Sequence, residues 1–266
     1  MMKSLTCLKA ISLFILIPLT AIADSVKFIT VDWPPFFASD LPKGGFTVEI
    51  ARQALSRKGH TMDITFAPWK RATFATRKGE FHGLFGCWLN DEYRRNFNAS
   101  QEVMANGDGH FLALKGNNYY NLRPENILGK RVGIVRGYAV SEALDSLFAT
   151  GKVTRVDVNR VTQLLNMIQL KDRIDLILEN ELVVKYNFKR SYPGRVYNLE
   201  VVGKDYIDGG LYICWSQNHK DSDKFRLAFD ESIREMREDG SLQRIQAEFD
   251  IYPSIPTLNP LPARGY

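Results

Sequence analysis

Cysteine, histidine and long runs of any one kind are scarce in this chain. Its 266 residues hold three cysteines and four histidines. The histidines, His60, His82, His110 and His219, are scattered with no ligand-spaced pair, so neither a metal nor another cofactor is expected. No Lys/Arg run reaches the roughly five to eight residues of a nucleic-acid tail, and 35 basic against 30 acidic residues leave a net charge of only +5. No nucleic acid partner is expected. A nucleophile elbow, a phosphate loop, a solenoid repeat and a low-complexity tract are all missing. Beyond the N-terminus no stretch approaches the roughly 18 apolar residues of a membrane span, which excludes a multi-span membrane protein. What is present is ordinary globular composition, 45% hydrophobic and 24% charged, in a length that allows one large domain or two small ones.

Residues 1–23 stand apart. Lys3 and Lys9 precede an apolar run, Ala10 to Ala23, of about 14 residues, short for a bilayer. It ends in Ala21-Ile22-Ala23, the small-x-small pattern of a signal-peptidase site. Cleavage after Ala23 is expected, leaving Asp24 to Tyr266 as an exported chain; an uncleaved membrane anchor is the alternative. Cys7 leaves with the leader. Cys87 and Cys214 then meet an oxidising compartment, either paired or as two separate buried thiols.

The mature chain alternates strand and helix. Val26–Val31, Thr61–Phe66 and Phe81–Trp88 read as strands around helices at Phe46–Lys58 and Pro68–Gly79, a pattern that argues a parallel sheet covered by helices. Asn90–Asp108 is a polar stretch, and His110–Lys115 another short strand. A second alternating unit has strands at Arg131–Val135, Val153–Val158, Ile174–Leu178 and Val196–Val202. Its helices lie at Tyr138–Ala149, Val161–Leu170 and Glu181–Phe188. Leu211–Ser216 is a returning strand, followed by the clearest helix, Asp223–Asp239, with Phe225, Ala228, Phe229, Ile233 and Met236 on one face. A last helix, Ser241–Phe249, precedes an extended proline-rich tail, Pro253–Tyr266. Two passages between the halves predict a two-lobed α/β clamp with a cleft between the lobes.

The order and spacing of short motifs resemble the periplasmic family 3 solute-binding proteins, receptors for polar amino acids and related solutes, in a divergent branch. The motifs are Trp33-Pro34-Pro35-Phe36, Gly45-Phe46, Pro68-Trp69-Lys70-Arg71-Ala72, Asp91-Glu92-Tyr93-Arg94-Arg95, Leu128-Gly129-Lys130-Arg131-Val132-Gly133 with Gly137, Asp172-Arg173-Ile174-Asp175 and Glu238-Asp239-Gly240. The resemblance implies a type II periplasmic-binding-protein fold, each lobe a mainly parallel sheet flanked by helices, joined by a two-strand hinge. Residues 24–112 and 211–266 would form lobe 1, and 113–210 lobe 2. It also implies a periplasmic monomer that takes a small polar solute, amino-acid-like or carboxylate-bearing, to an inner-membrane ABC permease or a sensor.

The same resemblance nominates the site. Trp33, with Asp32 and Phe36 beside it, lies in a proline-fixed loop at a strand end, where a flat indole can stack on a ligand. Arg94, rather than Arg95, is expected to fork onto a ligand carboxylate. Gly137-Tyr138-Ala139 lies at a strand-to-helix turn, a natural anion seat. Asn180 stands where amino-acid receptors of the family commonly carry an aspartate for the ligand's ammonium, which argues against standard α-amino acids. Glu179 and Glu181 flank it, and strand alternation points both elsewhere. Trp69, Arg71 and Trp88 are further candidates at element ends. In the family's topology the returning strand lies beside the third strand, which would bring Cys87 and Cys214 within bridging distance. No catalytic residue is expected; the alternatives are an enzyme of the dehydratase kind on this fold, with Glu179 as its acid, or an orphan signalling receptor.

Overall fold

The computed structural model describes residues 24–170, 173–205 and 208–249; the leader and the proline-rich tail lie outside them. In the first lobe, β1 (Ser25–Thr30), β2 (Thr61–Phe66) and β3 (Gly83–Leu89) run parallel, linked by α1 (Phe46–Arg57) and α2 (Trp69–Arg77). The alternating pattern requires this, because a strand returning through a helix re-enters its sheet in the same direction. Next come α3 (Asp91–Asn96), β4 (Phe97–Ala99) and β5 (Ala105–Asn106), within the stretch that the sequence presents only as polar.

The second sheet opens with β6 (His110–Leu114) and continues with β7 (Arg131–Val135), α4 (Glu142–Ala149), β8 (Thr154–Val158), α5 (Val161–Gln169), β9 (Leu176–Glu179), α6 (Glu181–Ser191) and β10 (Leu199–Lys204). Its order is β10-β6-β9-β7-β8. The long strand β11 (Asp208–Ser216) then returns to the first sheet, whose order is β2-β1-β3-β11-β4 with β5 pairing β11. Helices α7 (Ser222–Glu238) and α8 (Ser241–Glu248) cover that lobe, α7 burying Phe225, Phe229, Ile233 and Met236.

The boundaries expected at 112/113 and 210/211 fall inside β6 and β11, and the structure moves both. Strand pairing holds all of β6 in the second sheet and all of β11 in the first, so the passages lie between Asn106 and His110 and between Lys204 and Asp208. From the first passage, the Gly107 N–H donates to the carbonyl of Gly209, the second residue of β11, at 2.6 Å. A Cβ on Gly209 would lie 1.8 Å from the Asp108 carboxylate, so only glycine permits that approach.

Cys87 and Cys214 are joined in a disulfide, with Cα atoms 6.4 Å apart. They are not opposite one another: Cys87 faces Tyr212, and Cys214 faces Leu84 across an irregular β3/β11 register.

Candidate functional site

Between the lobes lies a cluster of rings. Trp33, Phe37, Trp69, Trp88 and Tyr93 come from the first lobe, and Tyr138 from the second. The space left among them, with Val31, Gly86 and Ala139 completing the wall, is about 20 Å³, roughly one water molecule. Trp33 is held from behind by Phe36, ring centroids 4.6 Å apart and nearly parallel, and meets Trp88 edge-on at 5.9 Å. Tyr138 makes edge contacts with Trp69 at 5.7 Å and Trp88 at 5.5 Å. Gly86, at φ +74°, makes room for this packing, since a Cβ there would lie 2.4 Å from the Phe37 ring.

Polar groups tie the lobes at the same level. The Trp33 indole N–H donates to Glu179 Oε1 at 2.9 Å. The Trp69 indole donates to the Tyr93 hydroxyl at 2.9 Å and to the Gly137 carbonyl at 3.2 Å, and the Tyr93 hydroxyl donates to the same carbonyl at 2.9 Å. Asn90, which caps α3 through the Tyr93 N–H, reaches across with its amide to the Val140 carbonyl at 3.1 Å. At the periphery Arg190 pairs with Asp40. The Glu142 carboxyl is raised by a hydrogen bond with Asp91 and by that residue's charge. Two grooves flank the ring cluster, one of about 510 Å³ that includes Asp91, Arg95 and Glu142, and one of about 990 Å³ that includes Asp32, Pro34, Asp40 and Arg190.

Glu179 ends β9 and is 0% exposed. Burial pushes its carboxyl up to about 8, against the downward pull of the Asn180 and Trp33 N–H groups. Oε1 takes both of those bonds, at 2.8 and 2.9 Å, and Oε2 has no partner among the described residues. Tyr138 lies within the field of this carboxylate, and its hydroxyl is raised well above the usual range by burial first and Glu179 second.

Several nominated residues stand elsewhere. Arg94 lines a surface groove with Phe97, Asn98, Asp223 and Arg226, away from the rings. The cause is α3: Tyr93 takes the inward position, and the next residue of a helix points about 100° away. Arg71 and Asp32 are exposed; the Asp32 carboxylate accepts the Ser39 N–H at 2.7 Å. Phe36 backs Trp33 without lining the void. Asn180 spends its side chain on structure. Its oxygen caps α6 through the Leu182 and Val183 N–H groups, at 2.9 and 3.4 Å, and its amide donates to the Asp108 carbonyl at 3.0 Å. The turn at Gly137 to Ala139 belongs to the seam, but α4 begins at Glu142, capped by Ser141. A carboxylate already sits there: Asp205 accepts the Ser141 N–H at 2.7 Å and also its hydroxyl.

Trp33, Trp69, Trp88, Tyr138 and Ala139 do line the void. The sequence reading did not nominate Tyr93 or Phe37, and it pointed Glu179 away from the solute, keeping it only as the acid of the enzyme alternative. The usable signal was β9 itself, whose four residues, LILE, are buried on both faces; alternation in such a strand does not lead to solvent. Among the described residues no group of three or more His, Cys, Asp or Glu side chains could hold a metal ion.

A family model described as bacterial extracellular solute-binding proteins, family 3, matches residues 27–250. Solved structures share the fold at low identity. An ancestral arginine-binding protein bound to arginine superposes with a TM-score of 0.70 at 16% identity, over 86% of this chain and 99% of that one. A periplasmic binding protein of an arginine transport system from Legionella pneumophila gives 0.67 at 15%, over 85% and 100%. A histidine kinase sensor domain similar to periplasmic binding proteins gives 0.67 at 17%, over 85% and 96%. No curated protein matches the sequence.

Proposed function

This chain belongs to the bacterial extracellular solute-binding proteins of family 3, and we propose that it captures a small polar solute between its lobes and presents it, unchanged, to a membrane permease or a sensor. The observation that carries the reading is the seam: Trp33 of one lobe bonded to Glu179 of the other, beside a ring-lined void that both lobes wall. A solute touching both walls stabilises the closed pair over the open one, which is how a ligand drives hinge closure. Amino-acid-binding neighbours of the same fold support a solute of amino-acid size; a sensor-domain neighbour supports signalling as the other outlet. The leader, removed after Ala23, sends a monomer to the periplasm.

A thermal-shift screen of amino acids, amines, polyamines, organic acids and peptidoglycan fragments tests this. A true ligand at about 100 times its Kd raises stability by roughly 2.7 kcal/mol. Saturable shifts with the solute recovered intact support the receptor; turnover of the solute overturns it. The enzyme alternative draws on one observation, the buried Glu179 carboxyl near 8, a value suited to a general acid, and the same incubation decides it.

A further inference from the structure

Resting on the receptor reading, we infer that the solute is a small organic cation recognised without a carboxylate, its positive group held between the ring cluster and Glu179, which lies behind Trp33. Three observations converge. The first is the free oxygen. Glu179 is completely buried, and its Oε2 has no hydrogen-bond partner among the described residues. A buried polar atom left unpaired costs free energy, and a cation brought against it draws the proton off, favours the carboxylate and removes that cost. The second is the wall. Trp33, which holds Oε1, and Tyr138, which feels the same carboxylate, are both faces of the void, joined by Trp69, Trp88 and Tyr93. Indole and phenol faces are negative and attract cations, more strongly where water is excluded.

The third observation concerns what grips an anion. The residues that wall the void include no lysine or arginine. Arg94 faces an outer groove of the first lobe, and Arg71 is exposed. In the second lobe the start of α4 is taken by the chain's own Asp205, which accepts the Ser141 N–H and hydroxyl. A ligand carboxylate would enter the ring cluster without a charged donor and would lose its hydration for nothing in return. An amine or guanidinium gains both the free oxygen and the rings; a quaternary ammonium gains the rings and the charge of Glu179 without a hydrogen bond. With room for about one water in the closed form, the lobes part to admit the headgroup, and the Trp33–Glu179 bond is the contact it rearranges.

Matched probes that differ only in the carboxylate test this by titration calorimetry: agmatine against L-arginine, and choline against glycine betaine. The expected result is that at least one carboxylate-free member binds ten-fold or more tightly than its partner. Glu179→Gln, shown to fold by its melting curve, should weaken that binding by roughly 10- to 150-fold, the worth of a bond to a charged group. A carboxylate-bearing member that binds as well as its partner overturns the inference, as does an unchanged affinity in Glu179→Gln. Should the variant not fold, the wild-type pairs alone decide. If all four probes fail and a neutral or anionic solute from the thermal screen binds, this inference falls and the receptor stands. If no solute in either experiment binds, both fall.

Discussion

The indole N–H of Trp33 and the carboxylate of Glu179, 146 residues apart in sequence, meet at 2.9 Å across the two lobes. Trp33→Phe keeps a ring in place and removes the donor, leaving Glu179 with the Asn180 N–H alone. The closed form should lose about 1–3 kcal/mol relative to the open one. Small-angle scattering of the ligand-free protein should then show a larger radius of gyration in the variant; an unchanged radius would mean that the bond does not hold the lobes.

Glu179 also sets a pH dependence. Its carboxyl is raised to about 8 in the folded protein, from an ordinary value of 4.5. Between those values the unfolded chain has released this proton and the folded one retains it, so the contribution to stability falls as pH rises from 4.5 to 8. Melting temperatures of the wild type and Glu179→Gln, taken across that window, should diverge, with the variant lacking the decline. Parallel curves would contradict the burial of this group.

His82 acts in the opposite direction. Burial first, then the neighbouring His219 charge, lowers it from 6.5 to about 4, and its Nδ1 accepts the Lys27 N–H at 2.9 Å. Its contribution is therefore complete above pH 6.5 and is lost as pH falls toward 4. Replacing His82 by glutamine should flatten the acid limb of the melting profile while leaving the limb above pH 7 in shape. An unaltered acid limb would place the loss on other groups.

Asn180 should behave as a helix cap and brace. Asn180→Ala removes the bonds to Leu182 and Val183 and the one to Asp108, and should cost about 0.5–2 kcal/mol of stability by denaturant titration. Asn180→Asp retains the cap oxygen and should confer no affinity for zwitterionic amino acids, because its carboxylate would sit on the α6 N-terminus. A gain of such affinity would return this residue to the ligand site.

The Cys87–Cys214 bridge closes 127 residues of chain. The chain-entropy model allows up to about 5 kcal/mol for a loop of that size. Mass spectrometry of the unreduced mature protein should give a Cys87–Cys214 linked peptide and no alkylatable thiol, and reductant should lower the melting temperature. Two free thiols after denaturation without reductant would refute it.

The alternating halves and most element positions were legible because hydrophobic spacing reports one local periodicity at a time. Helix α3 escaped because six residues, DEYRRN, give too few turns for a face to emerge. That gap moved the site, since a loop reading of Arg94 leaves its direction open while a helix fixes it behind Tyr93. Trp33, Trp69, Trp88 and Tyr138 were nominated for their places at element ends, and the fold gathers them around the void. Glu179 was lost to the assumption that alternation leads outward, which fails in a strand covered on both faces. The Asp205–Ser141 contact joins residues 64 apart in the chain, and only the folded second lobe brings them together.

The hydrogen bond between Gly107 and Gly209 ties the first passage to the start of β11. Movement at that passage is therefore transmitted to the first residues of β11. A side chain at position 209, which would meet Asp108, would push the two segments apart and loosen that link.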